Sequence, residues 1–390
     1  MHILTYCDED IGVAAGGSRQ VVELVKALAL KGHEITVVAP EPQRPRPSVP
    51  ILTKVQTAFV PVVRWGGLRP VSFLYGSMRI LEQLLRTRRP DLLLWFDSPG
   101  QMAPLWALRR GTCPVVYFVN GLPLEEVRGV WRHPPFRGLL SYGLRLASRK
   151  AKALVSVCPE VLTGLGKLEP IRTKPCVVIR NGADPHIFFP QSHEKSRAEL
   201  GLSSPGPYIG FVGGFFPWHG LETLIEAMAI VAKSFASVQC LLVGDGPTRK
   251  RLEEFVRELR LSAHVHFPGR ADFDMVPTWI AAFDVCVVLH RQTRSYPGDS
   301  MKLWEYLACG RPVVATAGPG YGETVEELHC GVSVKPDNPD DLARHLLCLL
   351  DDRPLRTGMG ERGRTAVIRR HTWSARAAQL EQVCYHAIAP

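Results

Sequence analysis

The stretch M-H-I-L-T-Y-C-D-E-D-I-G-V-A-A-G-G-S-R-Q-V-V-E-L-V-K-A-L-A-L-K-G-H-E-I-T-V-V-A-P, Met1 to Pro40, decides the fold. His2 to Tyr6 reads as a buried strand, and a loop with Gly12, Gly16 and Gly17 follows it. Val21, Val22, Leu24, Val25 and Leu28 then recur at helical spacing, Gly32 closes the helix, and Ile35 to Ala39 form a second strand. Such a βαβ unit implies a parallel sheet with right-handed crossovers. Further strands are expected at Leu92–Phe96, Val115–Val119, Leu154–Val157 and Val177–Ile179. A polar, proline-bearing stretch over residues 186–207 reads as a linker. The pattern restarts with strand Tyr208–Val212, a glycine turn and helix Leu221–Lys233. Strand Gln239–Val243, helix Thr248–Leu259, strand Val265–Phe267, helix Met275–Phe283 and strand Val285–Leu289 continue it. The expectation is an α/β chain with two doubly wound, Rossmann-like domains, residues 1–185 and 208–370, facing each other across a cleft. Ligands in such sheets sit at the carboxyl ends of the strands.

The length of 390 residues fits two domains better than one core. Hydrophobic residues at 46% and charged residues at 22% belong to a soluble globular chain. Ten cysteines lie scattered, without C-x-x-C or paired ligand spacing, and read as buried thiols in a reducing, cytoplasmic setting. The chain opens into a strand with no signal-peptide pattern, and no apolar run approaches the roughly 20 residues that span a bilayer. Charge is uneven: residues 1–185 carry 25 Lys+Arg against 14 Asp+Glu, and the remainder carries 22 against 23. Two stretches, Arg64–Arg89 and Trp131–Lys152, mix aromatic and basic residues. Each reads either as an amphipathic surface for an anionic membrane or as a solvated helix face. Nucleic acid is the weaker choice, because no recognised binding motif accompanies the charge.

A second informative stretch is R-S-Y-P-G-D-S-M-K-L-W-E-Y-L-A-C-G-R-P-V-V-A-T-A-G-P-G-Y-G-E, Arg294 to Glu323. It reads as a loop with Gly298 and Asp299, a helix from Met301 to Cys309 ended by Gly310, a strand Pro312–Thr316 and a glycine-rich loop. A helix that starts after Asp299-Ser300 presents backbone N–H groups and a positive dipole end, which suits a phosphate. Lys302 in that first turn works against the dipole and makes sense with an anion before it. Glu305, one turn on, can accept the two hydroxyl hydrogen bonds of a ribose. A nicotinamide-dinucleotide enzyme is disfavoured, since the first turn has no G-x-G-x-x-G.

Several stretches, in order and at matching spacing, resemble glycosyltransferase family 4, retaining nucleotide-sugar enzymes of GT-B fold. They are A-G-G-S-R-Q from Ala15, V-I-R-N-G-A-D-P-H-I-F-F-P (Val178–Pro190), F-V-G-G-F-F-P-W-H-G-L-E (Phe211–Glu222) and L-V-G-D-G-P (Leu242–Pro247). With the S-x-K-x-x-E-Y run from Ser300 and the P-W-H-G run from Pro217, they point to one branch of that family. The resemblance implies a donor held mainly by the second domain, an acceptor held by the first, and a last helix within residues 371–390 that crosses back to the first domain. It places Glu305 on the ribose, Ser300 and Lys302 on the diphosphate, Gly16 and Gly17 beside phosphates and acceptor, and Arg270 near the base. Asn120 stands where many relatives have a histidine near the anomeric carbon, and with Glu125 it is expected to line the acceptor site. Gly244, Gly246 and Pro247 read best as a tight strand-to-helix turn.

The departures are equally informative. Eight residues before Glu305 stands Pro297, so the first glutamate of the family's Glu-x7-Glu is missing, and Asp299 or Asp97 is left to contact the sugar. Where relatives place Arg and Lys to neutralise the leaving diphosphate, this chain has Gly214 and His219. Lys302 is therefore expected to be the main diphosphate cation, helped by the helix dipole and by a protonated or hydrogen-bonding His219. The D-x-D at Asp272–Asp274 reads as a helix start with Asp274 as N-cap, and His264 and His266 lack a third ligand. No metal and no cofactor beyond the donor co-substrate are expected. The overall expectation is a retaining hexosyltransferase with a hydroxyl, lipid-linked acceptor at the inner face of a membrane. The alternatives are a GT-B scaffold that has lost catalysis and a sugar-nucleotide epimerase.

Overall fold

A computed structural model describes residues 1–12, 16–43, 55–65, 68–97, 102–110, 113–122, 134–171, 173–203, 205–291 and 298–389. The chain divides into two compact units, Met1–Asn181 with Trp373–Pro390, and Gly182–Thr372.

The first unit is built on a parallel sheet of seven strands in the order β3-β2-β1-β4-β5-β6-β7. These strands are β1 (His2–Tyr6), β2 (Glu34–Pro40), β3 (Val55–Val60), β4 (Leu92–Phe96), β5 (Val115–Val119), β6 (Ala153–Ser156) and β7 (Cys176–Val178). β1, β4, β5 and β6 are almost wholly buried, as apolar strands covered on both faces should be. Between β1 and β2 runs the helix Gly16–Leu30, with Val21, Leu24, Val25 and Leu28 buried on one face. The helix Trp373–Ile388 packs against it. His33 Nε2 lies 2.7 Å from Glu381 Oε1, and Lys31 Nζ lies 3.0 Å from Glu381 Oε2. Together with the buried Arg376, whose Nε donates to the Asn181 carbonyl at 3.2 Å, these contacts anchor the last helix.

The second unit repeats the plan with six parallel strands in the order β10-β9-β8-β11-β12-β13. They are β8 (Tyr208–Gly214), β9 (Gln239–Asp245), β10 (Val265–Gly269), β11 (Val285–Val288), β12 (Val313–Thr316) and β13 (Gly331–Val334). In both sheets the strand order reverses beside the first strand, at β1/β4 and at β8/β11. Those reversal points leave crevices at the carboxyl ends. The helix Leu221–Ser234 buries Leu221, Leu224, Ile225, Met228 and Val231 at helical spacing, and Gly220 enters it in the left-handed region at φ +59°.

Several expectations change. Residues 186–207 are not a bare linker but belong to the second unit: Phe188 is buried, and a helix His193–Glu199 is capped by the Ser192 hydroxyl. Arg197 Nε bonds the Ala282 carbonyl at 2.9 Å and its Nη2 lies 2.6 Å from Asp284, so polar composition here reflects ion pairing rather than solvation. The glycine-rich stretch before Glu323 runs into a helix, Tyr321–Glu327. Asp274 is no N-cap: it lies inside the 3-10 turn Phe273–Met275, and the following helix starts after Met275 without a side-chain cap. None of the ten cysteines is paired, and Cys176 and Cys348 are exposed rather than buried.

The ends of β8 and β9 meet through glycine. A Cβ at Gly244, whose φ is +142°, would collide with the Gly213 carbonyl, and one at Gly246 would press on the Phe215 backbone. Gly244→Ala should therefore destabilise the second unit by about 2–3 kcal/mol, read as a lower urea midpoint at unchanged slope.

Candidate functional site

The crevice beside β8 is assembled from three segments of the second unit. β8 ends at Gly213-Gly214, and the turn Phe215–Gly220 carries a 3-10 element, Pro217–His219. The rings of Phe216 and Trp218 stack at 4.8 Å with 3° between their planes. His219 packs 5.6 Å from the Phe211 ring, and its Nδ1 lies 2.6 Å from the Gly214 carbonyl oxygen. That contact puts a proton on Nδ1, because a carbonyl can only accept.

The helix Met301–Ala308 supplies the third segment. Its Tyr306 hydroxyl accepts the Val212 N–H at 2.7 Å, which pins the helix to the end of β8. Gly310, at φ +68°, closes it: the N–H groups of Gly310 and Arg311 bond the carbonyls of Leu307 and Tyr306. Ser300 is its N-cap residue, yet its side chain makes no capping bond, so the hydroxyl does not occupy the first-turn N–H groups. One turn before Tyr306, Lys302 extends over Gly213 with Nζ 3.5 Å from His219 Nε2 and 5.0 Å from the Phe211 ring centre. A side chain at Gly213 would meet the Lys302 Cε at 3.1 Å, so the missing Cβ makes room for the lysine.

Lys302 is half-buried, and among the described residues no carboxylate lies within 4.0 Å of its ammonium. Burial pulls its pKa down from 10.5 to about 8, while Glu305 pushes the other way. His219 offers the Nε2 lone pair to the ammonium, and a second proton there would face a like charge. Of the two roles expected of His219, protonated or hydrogen-bonding, these contacts are those of a hydrogen-bonding imidazole beside Lys302. Glu305 is buried on the same helix at 6% exposure. Asp299 turns back on the helix, accepting from the Trp304 indole N–H at 3.3 Å. Gly214 contributes its carbonyl to His219. Arg270 is exposed at the carboxyl end of β10, with β9 between it and β8, so it is not part of the Lys302 cluster.

In the first unit, Gly16 and Gly17 open the first helix, and a Cβ at Gly17 would sit 2.5 Å from Glu9 Oε1. Asn120, just after β5, donates from Nδ2 to Gln20 Oε1 at 2.5 Å, and buried Gln20 donates to Asn181 Oδ1 at 2.8 Å. Asp97 accepts a short hydrogen bond from Tyr117 Oη. Glu125 lies outside the described residues. The sequence reading passed over Gln20 and the acids after β1. Burial lifts Asp8 to about 7 against the opposing pull of Arg69, whose Nη2 lies 3.2 Å from it. Three consecutive acids at the reversal point of a sheet were the available signal. His264 bonds the Val238 carbonyl and His266 the Gln239 side chain, and among the described residues no three potential ligands gather as a metal site.

The model for "Glycosyl transferases group 1" matches residues 192–366, and that for "Glycosyltransferase Family 4" matches residues 14–187. Both matched models are of glycosyltransferases, one on each half of the chain. A GDP-mannose-dependent monoacylated alpha-(1-6)-phosphatidylinositol monomannoside mannosyltransferase of Corynebacterium glutamicum is 32% identical over 52% of this chain and 54% of its own. A phosphatidyl-myo-inositol mannosyltransferase of Mycolicibacterium smegmatis is 24% identical over 98% of this chain and 93% of its own. The chain spans about half the length of the first curated relatives it matches. The solved sucrose-phosphate synthase of Thermosynechococcus elongatus superposes with TM-score 0.80 at 23% identity, covering 98% of both chains. The fold is accordingly GT-B.

Lys302 also sets a pH dependence. Its folded pKa lies below the unfolded value of about 10.4, so the charged form is penalised in the free protein, and a diphosphate bound beside it would lift that penalty, with Lys302 taking up a proton. Between pH 8 and pH 9 affinity for the preferred nucleotide sugar should fall about fivefold, with proton uptake in calorimetry. Lys302→Met should bind more weakly at every pH and show neither effect.

Proposed function

We propose that this glycosyltransferase moves a hexose from a nucleotide-diphosphate donor to a hydroxyl acceptor, with retention at the anomeric carbon. The observation that carries the reading is the partly desolvated Lys302 ammonium, without a carboxylate partner among the described residues, at the start of the Met301–Ala308 helix and at the reversal point of its sheet. A departing diphosphate brings the negative charge this place lacks. Lys302 and the helix N-terminus stabilise that charge as it develops, the function that arginine and lysine perform elsewhere in the family. Ser300 contributes its hydroxyl to the phosphates, Glu305 accepts from the ribose, and His219 aims the ammonium. The step needs no metal ion in this account. Asn120 binds the acceptor or the sugar through its carboxamide and moves no proton.

The acceptor is proposed to be lipid-linked. In the first unit the helix Arg69–Thr87 buries Phe73, Ser77 and Leu81 and exposes Val71, Tyr75, Arg79 and Arg86 on the opposite face. The helix Pro134–Lys150 exposes Phe136, Leu139, Tyr142, Arg145 and Arg149. Ala103–Ala107 packs against both helices, and beside it the Arg109 guanidinium lies 3.4 Å from the centre of the half-exposed Trp106 ring. Aromatic tips with arginines behind them suit the headgroup layer of an anionic membrane. Among the described residues no helix is long and apolar enough to cross one. Two of the similar proteins carry phosphatidylinositol derivatives in their names, which favours the same class of acceptor.

Incubation with UDP-, GDP- and ADP-sugars should show turnover of one donor. Lys302→Met should slow it by about 10²–10³-fold with the fold intact. Binding without any turnover would favour a scaffold that has lost catalysis. In sedimentation with vesicles, phosphatidylglycerol should retain the protein and pure phosphatidylcholine should not. Tyr75→Ser with Tyr142→Ser should release it, whereas retention of the double variant would contradict the membrane reading.

A further inference from the structure

At the amino ends of β8 and β11, at the opposite end of the strands from Lys302, positive charge outnumbers the anions that answer it. Arg311 is buried at 7% exposure; its guanidinium donates to the Gln191 carbonyl at 3.0 Å and to His193 Nε2. Among the described residues no carboxylate lies within ion-pair distance of it. The one acid nearby, Asp284, is already engaged by Arg197 at 2.6 Å, by the Tyr208 N–H at 2.7 Å and by Arg356 at 3.9 Å. The neighbouring thiols cannot compensate: burial lifts Cys309 to about 12 and Cys286 well above its ordinary value. Three arginines thus face one carboxylate.

The same cluster holds donors with nothing to bond. Accepting at Nε2 puts the proton of neutral His193 on Nδ1, and that buried N–H has no partner. Arg311 Nε and the Ser196 hydroxyl, on a residue 1% exposed, are also buried and unbonded. His193 and Ser196 stand three residues apart on one helix and so share a face. Unsatisfied buried donors and unpaired buried charge are each costly, and here both have the same sign. Arg197, Asp284 and Arg356, which border the cluster, keep partial solvent exposure.

We propose that this cluster is an oxyanion site, separate from the donor crevice, that takes a phosphate-class anion on Arg311, His193 and Ser196. Guanidinium and phosphate match in fork geometry, and one tetrahedral anion can satisfy all three donors while neutralising the surplus charge.

Thermal unfolding in inorganic phosphate, against sodium chloride of equal ionic strength, tests it. The wild type and Lys302→Met should both gain about 3–6 °C at tenfold excess over Kd, following mass action. Arg311→Met should lose the gain. If that variant does not fold, Ser196→Ala and Arg311→Lys should each weaken the response. An equal shift in chloride would mean screening alone and would overturn the proposal. So would a response that vanishes in Lys302→Met and survives in Arg311→Met, which would put the phosphate in the donor crevice.

Discussion

One ammonium group, partly withdrawn from water and without a carboxylate in ion-pair range among the described residues, organises the crevice beside β8. Lys302 stays there because Gly213 has no Cβ, because Tyr306 fastens its helix to β8, and because His219 is locked on the Gly214 carbonyl with its free nitrogen towards the lysine. Each constraint belongs to backbone or core, so the cation is positioned before any ligand arrives. A cation that pays its desolvation in the free protein gains most when a diphosphate comes to meet it.

The same geometry explains a departure from the family pattern. The sequence resemblance leads one to expect arginine and lysine at the positions where this chain has Gly214 and His219. His219 donates a hydrogen bond from Nδ1 to the Gly214 carbonyl and turns Nε2 towards the Lys302 ammonium. On the proposed reading, neutralisation rests on Lys302 and the helix start, so the protonation state of a lysine whose pKa burial lowers to about 8 governs donor binding.

Much of this was legible in the sequence because it depends on local periodicity and caps. The strand, helix and strand of the first 40 residues, the helix after Ser300 and its glycine stop all follow from spacing and backbone freedom. What could not be read depends on partners distant in sequence. The helix His193–Glu199 looks polar and linker-like until Asp284 and the Ala282 carbonyl meet Arg197. Gln20 gains meaning only when Asn120 and Asn181 arrive 100 and 161 residues later. The tautomer of His219 follows from a single carbonyl contact that composition cannot foresee.

The most direct measurement is the titration of the Lys302 ammonium by NMR of selectively labelled lysine, in the free protein and with a bound nucleoside diphosphate. The account predicts a free value near 8 that rises well above it on binding. An ordinary lysine value that is indifferent to the ligand would contradict it.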